Sequence, residues 1–206
     1  MSVAVVEHAS SPLGEEVAAR LGELGIRAEP LTGWDAVGVV DAYVHLGPWE
    51  APPRPGPLVE LDDHAFGEAF ERPVLELLWS LRAAYAHLRR PGGRVVVVVP
   101  TIGMAGAPGL AASAAAAEAQ RLLVKSAARQ WGAEGITMNV VAADLAALAP
   151  GAPGLPSVSL SAPALGSAAV TDRAAVARVV AMLLEDGAAA LTGVTVSADG
   201  GTWMAP

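Results

Sequence analysis

The chain of 206 residues contains no cysteine. That absence excludes disulfides, thiolate metal sites and a cysteine nucleophile, and it fits a reducing compartment. Basic residues are scarce and scattered: 13 Lys and Arg stand against 21 Asp and Glu, for a formal net charge of −8. A surface of that sign repels phosphate backbones, so no nucleic-acid partner is expected. Long apolar runs are missing too. The valines of 95–99 stop at Pro100, and the Ala-rich stretch from 111 to 119 carries Ser113 and Glu118. Neither approaches the roughly 20 residues of a membrane-spanning helix, and no basic region leads into an apolar signal core. The expectation is a cytoplasmic protein with no membrane partner. What the chain has in quantity is apolar side chain, 53% of its residues. That is enough for one hydrophobic core, and 1–206 is read as a single domain.

Periodicity then divides the chain. Residues 3–7, "VAVVE", suit a buried strand, and "GEEVAARLGELG" follows with Val17, Ala18, Leu21 and Leu24 on one helical face. Glu15 and Glu16 sit in the first turn of that helix, where the dipole favours negative charge. "IRAEPL" reads as a strand that Pro30 confines to an edge or ends early. "DAYVHLG" at 41–47 is the next strand, followed by a proline-rich loop over 48–57. A long helix is expected from about Asp63 to Arg90, with a kink or a lost hydrogen bond at Pro73. "RVVVVV" at 94–99 is β-branched without alternation, as in the centre of a parallel sheet. An Ala-rich helix over 111–132, a strand in "ITMNVVAAD", an irregular stretch over 145–170, a helix capped by Thr171 and a last strand in "TGVTVSADGG" complete the order. Strand and helix alternate throughout, which predicts an α/β fold: a Rossmann-like doubly wound parallel sheet.

Several segments then carry a resemblance. "LLEDGAAALTGVTVSADGG" looks like the terminal helix, strand and turn of the short-chain dehydrogenase/reductase family, and "GITMNVVAAD" resembles that family's "IRVNAVAPG". The segment from Asp62 to Pro100 has the spacing of its long interface helix and central strand. The resemblance covers nearly the whole chain and implies a doubly wound sheet that assembles into tetramers through two long helices. Between Leu31 and Asp41, where the family has a helix, a strand and much of another helix, only a few residues stand. The sheet is therefore expected to be shortened between its first two strand–helix units.

The same resemblance implies a nicotinamide dinucleotide over a Gly-rich turn, and here the matching stretch is "EHASSPLG". His8 and Pro12 occupy two glycine positions, and only Gly14 remains. Bulk at His8, a donor lost at Pro12 and repulsion from Glu7 lead to the expectation that the chain takes no NAD(P). The family's Tyr and Lys positions hold Ser113 and Ala117, its Ser position holds Pro100, and Pro73 aligns with its Asn. A serine hydroxyl without a neighbouring positive charge does not replace a Tyr–Lys pair. His64 and His87 are read as helix-surface residues, and no metal site is expected.

Three functions follow from these readings. The first is a catalytically inactive subunit that pairs with an active paralogue of the family in a hetero-oligomer, a hetero-tetramer by the family's habit. By analogy its substrate is of an acyl-CoA or polyketide type. Trp79 and Trp131, on the two long helices, are then core residues or interface anchors. The second is a cofactor-independent lyase, cyclase or hydrolase rebuilt at the carboxyl ends of the strands, near Glu7 and His8. In it His45 is the base, Thr101 or Ser113 the nucleophile or positioning hydroxyl, and Asp144 the orienting carboxylate. The third is a homo-oligomeric binder of a small molecule.

Overall fold

A strand buried on both faces needs a covering layer on each, and β4 (Arg94–Pro100) is buried at every residue after the first. The computed structural model describes residues 2–49, 53–149 and 163–204. Among them six strands form one sheet of order β2-β1-β3-β4-β5-β6. The other five are β1 (Val3–Glu7), β2 (Arg27–Pro30), β3 (Ala42–His45), β5 (Thr137–Ala143) and β6 (Thr195–Ala198). Every pairing is parallel. Helices α1 (Pro12–Glu23) and α7 (Arg173–Leu184) pack together over one face, and α3 (Arg72–His87) and α5 (Ala111–Trp131) over the other. The doubly wound parallel sheet expected from the sequence is therefore present.

The shortening is present as well. Only a single 3-10 turn, Trp34–Ala36, lies between β2 and β3, so β2 is the outer edge of the sheet. Pro30 ends that strand, as its missing N–H requires.

Local chemistry differs from expectation at three places. The first helix begins at Pro12 rather than Gly14, because Ser11 caps it by accepting the Gly14 N–H at 2.9 Å. Proline is tolerated there, since the first N–H groups of a helix have no internal partner. The last helix is capped by Asp172 rather than Thr171: the Asp172 carboxylate accepts from the Ala175 N–H at 2.9 Å. The long helix is not continuous. It starts as α2 (Asp63–Phe66), widens into a π-helical turn over Gly67–Glu71, and resumes as α3. Proline lacks the N–H that an α-helical ladder needs, and a π turn immediately before Pro73 absorbs that loss. Part of the proline-rich loop, 50–52, and half of the irregular stretch, 150–162, lie outside the described residues. Before the latter, α6 (Leu145–Leu148) forms one short helical turn.

The face carrying α3 and α5 is tied by a buried polar contact. Gln120, fully buried on α5, donates to the Pro73 carbonyl at 2.8 Å. Close by, α4 (Ile102–Ala105) lies against α5 at van der Waals distance. A Cβ built on Gly103 would stand 2.9 Å from both the Ala117 Cβ and the Glu118 nitrogen. Gly103→Ala is expected to destabilise the fold by about 2 kcal/mol, because packed helix backbone rather than a flexible side chain must give way. Chemical denaturation of the two proteins measures it.

Candidate functional site

In an open parallel sheet, ligands bind beyond the carboxyl ends of the strands where the strand order reverses. Here that point lies between β1 and β3, and it carries a connected group of polar side chains. Glu7 ends β1 and is in register with His45, which ends β3. Tyr43 lies two residues before His45 and so shares its face of the sheet. The Glu7 carboxylate accepts from the Tyr43 hydroxyl, lies 2.6 Å from His45 Nδ1, and accepts from Ser80 of α3 at 3.0 Å. His45 and Tyr43 are fully buried. Beside them His8 Nε2 lies 2.8 Å from a carboxylate oxygen of Glu76, also on α3.

Burial alone would raise the Glu7 pKa. The hydrogen bond and charge of His45, with the Tyr43 and Ser80 hydroxyls, outweigh it and bring the carboxyl from its ordinary 4.5 to about 2. Tyr43 moves the other way. Burial, then the Glu7 charge, push its phenol well above the usual value, so it stays a donor.

The four residues proposed from sequence do not form one site. His45 pairs with Val97 of β4, and Thr101 stands four residues further along, about 13 Å on at the usual strand rise. Thr101 and Asp144 do meet at neighbouring strand ends, where the Thr101 N–H donates to the Ala143 carbonyl at 2.8 Å. Asp144 is occupied as the cap of α6, accepting from the Ala146 N–H at 2.8 Å. Burial raises its pKa, helped by the charge of Asp199 and opposed by that N–H. Ser113 is buried in the first turn of α5, and no hydrogen bond joins any two of the four. His64 is an exposed residue of α2, whereas His87 is half-buried and stacks on Trp34 with ring centroids 5.5 Å apart.

Tyr43, Glu76 and Ser80 are what the sequence reading missed. Tyr43 had a signal, since strand period 2 places it with His45. Glu76 and Ser80 arrive from α3 and had none.

The turn after β1 is tight and has a left-handed residue in it. His8 takes a left-handed φ of 58°, a conformation that glycine adopts at least cost. Gly14 packs so closely under the turn that a Cβ would lie 2.4 Å from the His8 carbonyl oxygen. Pro12 removes an N–H at the first position of α1, where no internal partner exists. The Glu7 carboxylate is held by three side chains, and the His8 ring is engaged by Glu76. The mouth of α1, with the Leu13 backbone and the Ser11 cap, remains a helix N-terminus of the kind that favours phosphate.

Comparison with known proteins agrees. The sequence profile of the enoyl-(acyl carrier protein) reductase family matches residues 34–202. Curated protein sequences give no match. Among solved structures, the angucycline C-6 ketoreductase LanV with bound NADP superposes with a TM-score of 0.76 at 19% identity, covering 98% of this chain and 95% of its own. A short-chain dehydrogenase/reductase from Serratia marcescens gives 0.76 at 21% identity, covering 98% and 97%. A protein described as a dehalogenation enzyme gives 0.82 at 19%, covering 98% of both chains. The NADP held by LanV and the reductase profile overturn the expectation that a chain of this kind takes no nicotinamide cofactor. The error lay in judging the turn by its side chains alone. With the parallel sheet, its switch point and a profile match over most of its length, the chain belongs to the short-chain dehydrogenase/reductase family.

Proposed function

We propose that this chain is a family subunit without its own proton-transfer residues, assembling with an active paralogue in a hetero-oligomeric dehydrogenase or reductase. The observation that carries the reading is Trp79. It sits in mid-helix on α3 with 60% of its surface exposed, one turn beyond the exposed Leu75. Leu122 of α5, which packs beside α3, is also exposed. An unpaired tryptophan on a helix face is the kind of side chain that anchors protein interfaces. Trp131, in contrast, packs on Tyr85 with ring centroids 4.9 Å apart and belongs to the fold.

The loss of chemistry is supported by space as well as residue type. Ala117, at the position of the family's lysine, has no exposed surface and lies against Gly103. No room for a longer side chain is left there. A nicotinamide dinucleotide belongs to this reading, with its pyrophosphate at the mouth of α1 near Ser11 and Leu13. When bound it would supply the hydride chemistry of the family. Ser11 and the α1 N-terminus would hold it, and Gly14 would keep the turn close enough to reach it. The substrate class is carried over by analogy with reductases of acyl-carrier or polyketide substrates.

A native mass spectrum of the protein, purified gently from its own cells, tests the assembly. An oligomer of two different masses is expected, and a homo-oligomer lacking any second chain would overturn the reading. Trp79→Glu is expected to release the chain as a monomer while changing its stability by no more than about 0.5 kcal/mol, as an exposed substitution should.

One observation favours a second reading, a cofactor-independent acid–base enzyme. His45 is held by Glu7 as a catalytic imidazole is held by a carboxylate, with Nδ1 fixed and Nε2 left over. Under that reading His45→Ala abolishes turnover. Under the first it leaves assembly untouched in whatever fraction folds.

A further inference from the structure

We propose that Glu7, His8 and Glu76 form a binding site for a divalent transition-metal ion such as zinc. The three come from the end of β1, from the turn after it and from α3. One ligand atom from each, two carboxylate oxygens and an imidazole nitrogen, lies within 4.8 Å of the other two. Tetrahedral zinc with bonds of about 2.0–2.1 Å places its ligands roughly 3.3 Å apart. The His8–Glu76 contact of 2.8 Å must open by about half an ångström, and Glu7 must draw in by no more than about 1.5 Å. One nitrogen and two carboxylate oxygens form a donor set of borderline hardness, suited to zinc or manganese rather than to calcium.

The surroundings of Glu7 are those of a ligand oriented from behind. Tyr43, His45 and Ser80 all contact its carboxylate, which fixes its orientation.

A separate observation points to an occupant. His45 lies edge to face with the His8 ring, their centroids 6.2 Å apart. Its Nε2 is completely buried and has no hydrogen-bond partner among the described residues. A buried polar atom of that kind is normally satisfied by a protein group or an ordered water. Three protein ligands leave zinc an open position that water takes, and that water would satisfy Nε2. The ion would thus join the His8–Glu76 pair to the buried Glu7–His45–Tyr43 group.

Titration calorimetry of the full chain with zinc chloride, and then with manganese chloride, tests the site. The variants are Glu76→Gln, which keeps the side-chain shape, and His8→Gly, which relieves the positive φ and so does not endanger folding. Expected is one ion per chain in the unsubstituted protein, with affinity reduced at least tenfold in each variant. A melting temperature raised by zinc should accompany it and vanish in both variants. His64→Ala should bind as the unsubstituted protein does. No binding to the unsubstituted protein, or an affinity in either variant equal to that of the unsubstituted protein, would overturn the site. Loss of binding in His64→Ala alone would place the ion on α2 and overturn it equally.

Discussion

His45→Leu is expected to cost the fold about 3–5 kcal/mol, because it takes the imidazole away from the mostly buried Glu7 carboxylate and leaves it only the Tyr43 and Ser80 hydroxyls. The double variant Glu7→Gln, His45→Leu should recover part of that loss, since the cost is an unpaired charge rather than a missing contact. A chelator in the buffer keeps the comparison free of bound ions. Acid should reproduce the effect in the unsubstituted protein. The folded-state pKa of Glu7 lies near 2 against an ordinary 4.5, so the carboxylate's contribution is complete above about pH 4.5. It is lost as the pH falls from there through 2. The separation of about 2.5 units corresponds to roughly 3 kcal/mol. Glu7→Gln removes this component, and its denaturation free energy should vary less between pH 4.5 and 2 than that of the unsubstituted chain. Equal slopes in the two proteins would show that Glu7 is not held ionised below its ordinary range.

Gly14→Ala is the second large effect. The added Cβ would meet the His8 carbonyl oxygen at 2.4 Å and the Ala9 carbonyl carbon and oxygen at 2.6 Å. All three are backbone atoms at the crossing of β1 and α1, so the turn itself has to move. Alanine is the better helix former by about 1 kcal/mol, but overpacking against backbone takes that back and more. A net loss of about 3 kcal/mol is expected, or roughly 6–12 °C in melting temperature for a chain of this size. Under the proposed function, the displaced turn should also weaken binding of a nicotinamide dinucleotide, read by cofactor fluorescence. A variant as stable as its parent would mean that α1 slides freely over β1, and the reading of the turn would fail.

Most of the scaffold was legible because its signals are local. The unbroken valines of 95–99 identify a central strand, Pro30 identifies an edge, and the few residues between Leu31 and Asp41 leave no room for another strand. Those are statements about neighbours in sequence. The site is not local. Glu7 meets Ser80 across 73 positions and His8 meets Glu76 across 68, and no period or motif announces either contact. Grouping His45 with Thr101 came from treating strand ends as one line. The sheet is staggered, and β4 runs on past β3 before Thr101 is reached. The cofactor expectation failed for a related reason: a left-handed φ at a histidine cannot be read from the letter H, whereas the same φ at a glycine can be guessed. Thr171 and Asp172 are both capping residues, and only the geometry of the turn chooses between them.

The edge strand β2 has a consequence for how the chain behaves at high concentration. A sheet that stops early presents a bare row of backbone donors and acceptors, open to recruitment by any passing extended segment. Here the row is only four residues long, Arg27 and Glu29 put an ion pair of 2.9 Å along it, and Pro30 withholds a donor. A fifth residue of plain valine in that strand would lengthen the template. A strand this short, charged and proline-ended blunts the edge against such recruitment.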